Sequence, residues 1–346
     1  MPLSASYSSS ATAADIGFDV IDVSRYNYAP LALFMDIPLL SYDHRNAGFY
    51  CALYGKTGAY RGGVLKMSSD GGSAFRDLAY FDSTPAVVGR CTSAPGAGGG
   101  VNVLDYSVAL SVDFSTVAVH PSSATDADLW TGSNLAALGN ATLGWELLQF
   151  KTATLVSGYS YTLTGLLRGL YGTAWRCASH VSDEHFVILD DLTGIQRISL
   201  SEDQIGTGLL YRATNYDLDT SYISETFTNA AVGLECYAPT QITGTRNSSR
   251  DLAIAWKRND RLAFTVPDLG GMQQVPMSES SESYEIDIRN ALDTATLRTI
   301  TATSQTASYT AAQQTTDFGS AQNSIKVRVY QLSATMGRGY AGAATL

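Results

Sequence analysis

The stretch WELLQFKTATLVSGYSYTLTGLLRG, residues 145–169, carries the clearest local signal in the chain. Its segments TATLV and YSYTL flank Ser157-Gly158, a pair of residues typical of a two-residue β-hairpin turn. Tyr159, Tyr161 and Leu163 fall on one side of an extended strand, because side chains alternate between the two faces of a strand. The stretch therefore predicts two antiparallel strands joined by a tight turn.

The same period-two alternation recurs in both halves of the chain. It is seen in VNVLDYSVALSVDF from residue 101 and again in LAIAW, YEIDI and KVRVYQL after residue 250. Long amphipathic helical patterns are hard to find. We predict an all-β protein with a lead-in segment at 1–25, a β-rich domain at 26–236 and a β-sandwich at 237–346, with Pro239 marking the linker.

The composition favours exposed β-sheet and disfavours nucleic acid and anionic membranes as partners. The 346 residues are 45% hydrophobic and only 16% charged, include 20 tyrosines and carry a formal net charge of −10. Nucleic-acid binding needs a basic face, and anionic membranes attract basic segments. We therefore expect neither nucleic acid nor a membrane surface as a partner.

Four cysteines lie far apart in the sequence, at Cys51, Cys91, Cys177 and Cys236. They form no CxxC motif, so a zinc ribbon or a dithiol redox site is not predicted. The first basic residue is Arg25, whereas secretory signals begin with positive charge. We expect a chain without a signal peptide and with free, buried thiols.

Short stretches resemble motifs of catalysis and cofactor binding, but the residues around them do not match what those motifs require. HVSDEH, residues 180–185, differs from HExxH and precedes the strand-like FVILDD, so we interpret it as a solvated loop rather than a metal site. GRGYAG at 337–342 has no helix after it to bind a pyrophosphate. We predict no enzyme activity, no metal and no cofactor, although a pair of glycosidase carboxylates stays open, because it is defined by separation in space.

Arg168 lies in TGLLRGLYGT, residues 164–173, among the glycines Gly165, Gly169 and Gly172. A phosphate site would need the glycines to open a helix, and here they follow a strand. The pattern favours a structural pin, in which Arg168 donates to carbonyls or a carboxylate and the glycines supply positive φ. A ligand-binding arginine is the alternative.

Two further sets of residues are candidates for contact. Arg258 and Arg261 in WKRNDR and Glu279 and Glu282 in SESSES are predicted to pair across the loop that joins two sandwich strands, with a binding site for an acidic partner as the alternative. Surface binding is predicted in loops, namely 94–100, the stretch 211–222 and the loop around 268–277. The candidate binding residues are Tyr211, Tyr216 and Tyr222.

The block GWELLQFKTATLV…YTLTGLLRGLYGT, followed by HFVILDD, resembles the C-terminal part of the large tail-tip protein of siphophages and gene transfer agents, also called the baseplate hub or host-specificity protein. The pattern is W-E-x-hydrophobic-Q-F, a hairpin and L-L-R-G-x-x-G-T, and it runs from Trp145 to Thr173. Downstream, LAIAWKRNDR and YEIDI resemble the fibronectin-type-III-like module that follows in many such proteins.

The resemblance implies a structural component of the distal tail tip that contributes to host recognition and attachment. It further implies assembly in the bacterial host cytoplasm, a location in the virion, other phage tail proteins as partners and a homo-oligomer. The alternatives are a dedicated receptor- or glycan-binding module, meeting a host surface receptor or polysaccharide, and, less favoured, a cell-wall hydrolase. The catalytic residues proposed in the family lie in a front part to which no segment of this sequence corresponds, so none are carried over.

Overall fold

A computed structural model describes residues 29–55, 60–100, 103–114, 120–216, 222–262 and 275–346. The predicted lead-in segment at 1–25 and most of the loop around 268–277 lie outside these residues. The regular secondary structure of the described chain is nearly all β, with two short α-helices, α1 (Asp126–Trp130) and α2 (Ala311–Phe318), so the all-β prediction is confirmed.

The strands in chain order are β1 (Leu31–Met35), β2 (Gly48–Tyr54), β3 (Gly63–Ser68), β4 (Arg76–Phe81), β5 (Val88–Cys91), β6 (Leu104–Asp105), β7 (Leu110–Asp113), β8 (Leu135–Asn140), β9 (Gly144–Ser157), β10 (Ser160–Leu170), β11 (His185–Ile188), β12 (Ile195–Ser199), β13 (Gly208–Thr214), β14 (Tyr222–Thr228), β15 (Thr240–Arg246), β16 (Leu252–Lys257), β17 (Tyr284–Arg289), β18 (Thr296–Ala302), β19 (Thr306–Tyr309), β20 (Lys326–Ser333), β21 (Gly337–Arg338) and β22 (Gly342–Thr345).

Six strands in the middle of the chain close into an antiparallel barrel. Their order is β7-β5-β11-β8-β9-β10, and β10 pairs both with β9 and with β7, which completes the circle. The predicted hairpin is β9 and β10. Its turn residues are Gly158 and Tyr159, one residue later than predicted, because β9 continues through Ser157. Closure leaves these strands without a free edge.

The barrel interior is filled by side chains, as expected for a barrel of so few strands. The buried cluster inside it contains Cys91, Leu110, Val112, Phe114, Ala136, Leu138, Leu148, Phe150, Tyr161, Leu163, Leu166 and Phe186. The alternate residues of the same strands point outward. Val88, Ala137, Leu147 and Val187 are among them, and they pack in a second cluster with residues of β1, β2 and β12.

The sheet β1-β2-β12 forms a middle layer between the barrel and a four-stranded sheet, β14-β13-β3-β4. Every residue of β2 is buried because both of its faces are covered. Tyr50 and Ala52 face the barrel, whereas Phe49, Cys51 and Leu53 pack against the four-stranded sheet. Burial on both faces explains why GFYCALY is continuously apolar instead of alternating.

The C-terminal part is a sandwich of the sheets β15-β16-β19 and β18-β17-β20-β22. The alternating residues predicted from the sequence, such as Ile254, Trp256 and Ile286, form its buried core. Trp256 and Tyr284 from the two sheets meet edge to face, with ring centroids 5.1 Å apart. This arrangement of three strands on four is the predicted fibronectin-type-III-like sandwich.

All four cysteines are free and buried. Burial, reinforced by a neighbouring carboxylate, raises the pKa of Cys177 and of Cys236 to about 12. We expect an aromatic disulfide reagent to find four thiols per chain in the denatured, unreduced protein and to react slowly with the native protein at pH 8. A denatured count below four would contradict the assignment of free thiols.

Candidate functional site

Three charged residues continue the inward-facing rows of the barrel strands. Each lies two positions along the chain from an apolar residue of the barrel core, so it points toward the same interior. The apolar interior therefore ends in a charged layer at one end of the barrel. The pairs of charged and apolar residues are Glu146 and Leu148, Arg168 and Leu166, and Glu184 and Phe186.

Arg168 and Glu146 form a two-pronged ion pair inside this layer. Arg168 Nε donates to Glu146 Oε1 at 2.8 Å and Nη2 donates to Oε2 at 2.5 Å, with side-chain exposures of 1% and 0%. The remaining donors reach the carbonyls of Gly96 at 2.5 Å and Cys177 at 3.0 Å. The geometry is that of the structural pin: one guanidinium holds a strand, a glycine-rich loop and the segment after β10.

His180 joins this ion pair to a second one, between Arg176 and Glu184. Its Nε2 lies 2.6 Å from Glu146 Oε2, and its Nδ1 lies 2.5 Å from Glu184 Oε2. Arg176 donates to the other oxygen of Glu184. Both ring nitrogens are within hydrogen-bond distance of a carboxylate oxygen, so His180 bridges Glu146 and Glu184. We name the five residues Glu146, Arg168, Arg176, His180 and Glu184 the ion cluster.

The three glycines of TGLLRGLYGT shape the end of β10 and the turn that follows it at the barrel end. Gly165, Gly169 and Gly172 have φ of +65°, +69° and +79°. At Gly172 an added Cβ would lie 2.7 Å from the Tyr237 ring, so both conformation and space require glycine. Thr173 secures the turn, because its hydroxyl donates to Leu170 O at 2.7 Å and accepts from Leu147 N at 2.9 Å.

The electrostatics of the ion cluster favour a fixed structure. Burial alone would raise the pKa of Glu146, but hydrogen bonds from His180 and Arg168 outweigh it and lower the pKa to about 2. Cys177 Sγ donates to Glu146 Oε1 at 3.2 Å, and its raised pKa keeps the thiol protonated. A nucleophilic cysteine acts as thiolate, so the pairing of Cys177 with this carboxylate disfavours that chemistry.

The solvated-loop interpretation of HVSDEH is wrong for two of its residues. The side chains of His180 and Glu184 are fully buried in the ion cluster, while Asp183 is exposed. His185 lies in β11, and burial lowers its pKa to about 4. Among the described residues, no group of three or more His, Cys, Asp or Glu is arranged to hold a metal.

Sequence reasoning missed Glu146 as the partner of Arg168, and it missed Arg176, His180 and Glu184 as the other members of the ion cluster. The period-two pattern is the signal that could have identified the two carboxylates. Glu146 lies two residues before Leu148 and Glu184 two residues before Phe186, so each shares a strand face with an apolar core residue. Arg176 and His180 reach the cluster from an irregular segment, for which the sequence offers no comparable periodicity.

The sandwich brings its predicted arginines and carboxylates together. Arg258 Nη1 donates to Glu282 Oε1 at 3.0 Å, and Arg261 donates to Glu279 Oε1. Glu282 Oε1 also accepts from the hydroxyl of Tyr284 at 2.7 Å. These contacts tie the segment after β16 to the segment before β17.

The three candidate binding tyrosines fall in different environments. Tyr211 is 1% exposed, because it lies on the inner side of β13 and its ring packs on Phe34 at 5.1 Å. The prediction that Tyr211 belongs to a binding surface is therefore wrong. Tyr216 and Tyr222 are 46% and 47% exposed. The predicted loop at 94–100 contacts the ion cluster through Gly96 O.

Residues 86–187 match the family described as Rcc01698-like, C-terminal. This range coincides with the barrel, which begins at β5 and ends with β11, and it contains the whole ion cluster. No curated protein matches the chain in sequence. No helix within the described ranges is long and apolar enough to cross a membrane.

Among solved structures, the chain is similar to the chicken CNTN1 FN1-FN3 domains, with 8% identity, a TM-score of 0.24 and coverage of 92% of this chain and 97% of that chain. It is also similar to a two fibronectin type-III domain segment from chicken tenascin, with 9% identity, a TM-score of 0.22 and coverage of 73% and 98%. The sandwich is identified by its own strand order and does not depend on these low scores.

Glu146→Gln is expected to lower the free energy of unfolding by about 3–5 kcal/mol, because it leaves Arg168 and His180 buried beside a neutral amide. Urea denaturation of the full chain measures this loss. Glu202→Gln, an exposed change in a short 3-10 turn, is the matched control and should stay within about 0.5 kcal/mol of the wild type. A loss below about 1 kcal/mol for Glu146→Gln would contradict the role of the ion cluster.

Acid should weaken the wild type more steeply than the Glu146→Gln variant. The folded pKa of Glu146 is about 2, below the unfolded value of about 4.3, so its stabilising contribution is present above about pH 4.3 and is lost as pH falls through 2. Melting temperatures measured from pH 5 to pH 2 should converge for the two proteins. Parallel curves would show that the Glu146 carboxylate does not carry this dependence.

Arg258→Ala and Glu282→Gln should each lower stability modestly, and the double variant should lose less than the sum. An exposed pair is worth about 0.2–1 kcal/mol, and this one should be worth more because its side chains are only 12% and 25% exposed. A double-mutant cycle by urea denaturation isolates the coupling. Strict additivity would mean that the two side chains do not pair in solution.

Proposed function

We propose that the chain is a structural component of the distal tail tip of a siphophage-like particle, in the region of the baseplate hub, and that it contributes to host recognition and attachment. The observation that carries the proposal is the coincidence of three ranges. The family match at 86–187, the barrel from β5 to β11, and the sequence block 145–173 that resembles tail-tip proteins fall on the same module. The name of the family suggests a gene-transfer-agent-like protein.

The geometry of that module supports a scaffold. Three residues of the pattern that resembles tail-tip proteins, Trp145, Glu146 and Arg168, are buried, at 3%, 0% and 1% exposure. Glu146 and Arg168 pair with each other at the barrel end. A particle protein must keep its fold while the particle attaches to a cell, and a closed barrel has no free strand edges at which it could pair with other chains. On this proposal the chain lies in the virion, is assembled in the host cytoplasm, and contacts other tail proteins and further copies of itself.

A glycosidase receives less support from the same residues. Its two carboxylates must reach a sugar, one as an acid and the other as a base or nucleophile. Glu146 and Glu184 have fully buried side chains, and each is paired with an arginine. A receptor-binding role is favoured instead by the half-exposed Tyr216 and Tyr222, which lie outside the barrel, just after β13 and at the start of β14.

Immunogold labelling of purified particles tests the proposal. Antibodies against the sandwich, residues 237–346, should label the end of the tail that is distal to the head. Antibodies against the major tail-tube protein serve as the control, with label along the tube. Absence of the chain from intact particles, or label at the head, would contradict the proposal.

A further inference from the structure

The four-stranded sheet β14-β13-β3-β4 has an outer face that the middle layer does not cover. Along β13, Leu209, Tyr211 and Ala213 belong to the buried core. Their neighbours Arg212 and Thr214 therefore point to the opposite side of the sheet. Strand pairing extends this outer face to every strand, since residues directly opposite each other in antiparallel strands share a face.

Two cross-strand rows define the outer face. The first row runs Tyr222–Thr214–Val64–Tyr80, and the second runs Ser224–Arg212–Lys66–Asp77. Tyr222 and Tyr80 thus stand at the two ends of one row, on the two edge strands. Three strand spacings of about 4.8 Å separate them by about 14 Å. Thr214 and Val64 between them are 1% and 5% exposed, so an extended chain-like ligand would contact the row through the tyrosines at its two ends.

Aromatic rings are concentrated and exposed on this face. Tyr80 is 57% exposed, and its ring lies nearly parallel to that of Tyr216, with 6° between the planes and 6.4 Å between the centroids. Tyr216 is held in place because its hydroxyl donates to Phe81 O. Half-exposed tyrosines offer flat apolar surface with a polar edge at low entropic cost.

Arg212 is clamped between two of the rings. Its guanidinium carbon lies 3.8 Å from the centroid of Phe75 and 3.8 Å from that of Tyr222. Within the described part of the chain no carboxylate forms an ion pair with Arg212, and its Nε has no hydrogen-bond partner. Lys66, beside it in the row, lies 3.8 Å from Asp77. Arg212 is thus an oriented cation that forms no ion pair with any described residue.

We propose that this tyrosine face, comprising Tyr80, Arg212, Tyr216 and Tyr222, binds an acidic polysaccharide. Tyrosine rings pack on the C–H faces of sugar rings, and their hydroxyls exchange hydrogen bonds with sugar hydroxyls. A planar guanidinium fixed by stacking presents its donors to a carboxylate with little further loss of entropy. The inference rests on the proposed function only in placing the partner outside the particle.

The same combination of arginine and aromatic rings also suits single-stranded nucleic acid. That ligand carries a phosphate at every nucleotide, and its binding depends on many basic side chains. The chain has a net charge of −10, and the four residues of the tyrosine face include one cation, Arg212. A uronic acid polymer carries its carboxylate on the same sugar ring that packs on a tyrosine, whereas the phosphates of a nucleic acid are separated from its stacking bases, so one arginine beside several rings suits the uronic acid better.

Isothermal titration of the full chain with polygalacturonate and alginate oligomers tests the proposal. Methyl-esterified polygalacturonate is the matched ligand, because it keeps the sugar rings and removes the charge. We expect at least one acid oligomer to bind, with affinity that falls as salt is added. For polygalacturonate, the ester should bind at least tenfold more weakly.

Variants assign the binding to the face. Arg212→Gln should weaken binding of the acid oligomer about tenfold or more, and Tyr80→Ala and Tyr216→Ala severalfold. Tyr159→Ala, at the half-exposed turn of the barrel hairpin, is the matched control and should leave binding unchanged. Melting temperatures near that of the wild type show that a variant is folded.

Three results would overturn the proposal. They are no binding of either acid oligomer, equal binding of the esterified polymer, and binding of oligo-dT at least as tight as that of the acid oligomers. A loss of binding in Tyr159→Ala equal to that in Arg212→Gln would also overturn it. These measurements use the purified chain, so a negative result rejects the proposed polysaccharide binding alone. Absence of the chain from the tail tip would instead reject the proposed function.

Discussion

The ion pair between Arg168 and Glu146 is the constraint on which the barrel depends. Both side chains are removed from water, at 1% and 0% exposure, so each charge must be matched within the protein. The carboxylate is satisfied by Arg168, His180, the Cys177 thiol and the Gly169 amide. A buried pair of this kind adds little net stability over an apolar core, but breaking it is costly, and it fixes which segments meet.

Other parts of the chain are linked to this end of the barrel by direct contact. Arg168 holds the loop at 94–100 through Gly96 O, and the segment between β10 and β11 contacts the sandwich. There the Trp175 ring stacks on Tyr340, with centroids 5.6 Å apart, and the Tyr340 amide donates to Cys236 O. On the outside of the barrel, Leu147 and Val187 support the middle layer and, through it, the sheet of the tyrosine face.

Local pattern predicted much of the fold and only part of the site. Alternation identified the long hairpin and the strands of the sandwich, because one buried face leaves a period of two. Barrel closure could not be predicted, since the pairing of β10 with β7 joins segments about 50 residues apart in sequence. Tyr211 shows the same limit: its type suggested a surface contact, whereas its parity in β13 places it in the core. The glycine-rich motif predicts Arg168 as a pin, but His180 and Arg176 reach the ion cluster through tertiary contacts that leave no period in the sequence.

The central claim is that the charged end of the barrel is a structural closure. Hydrogen–deuterium exchange of the wild type and the Glu146→Gln variant tests it most directly. The account predicts that the variant loses protection in peptides covering β9, β10 and residues 171–184, while protection in the sandwich core of β16, β17 and β20 stays as in the wild type. Unchanged exchange around residues 171–184 would contradict the claim, because the segment would then be held by something other than the ion cluster.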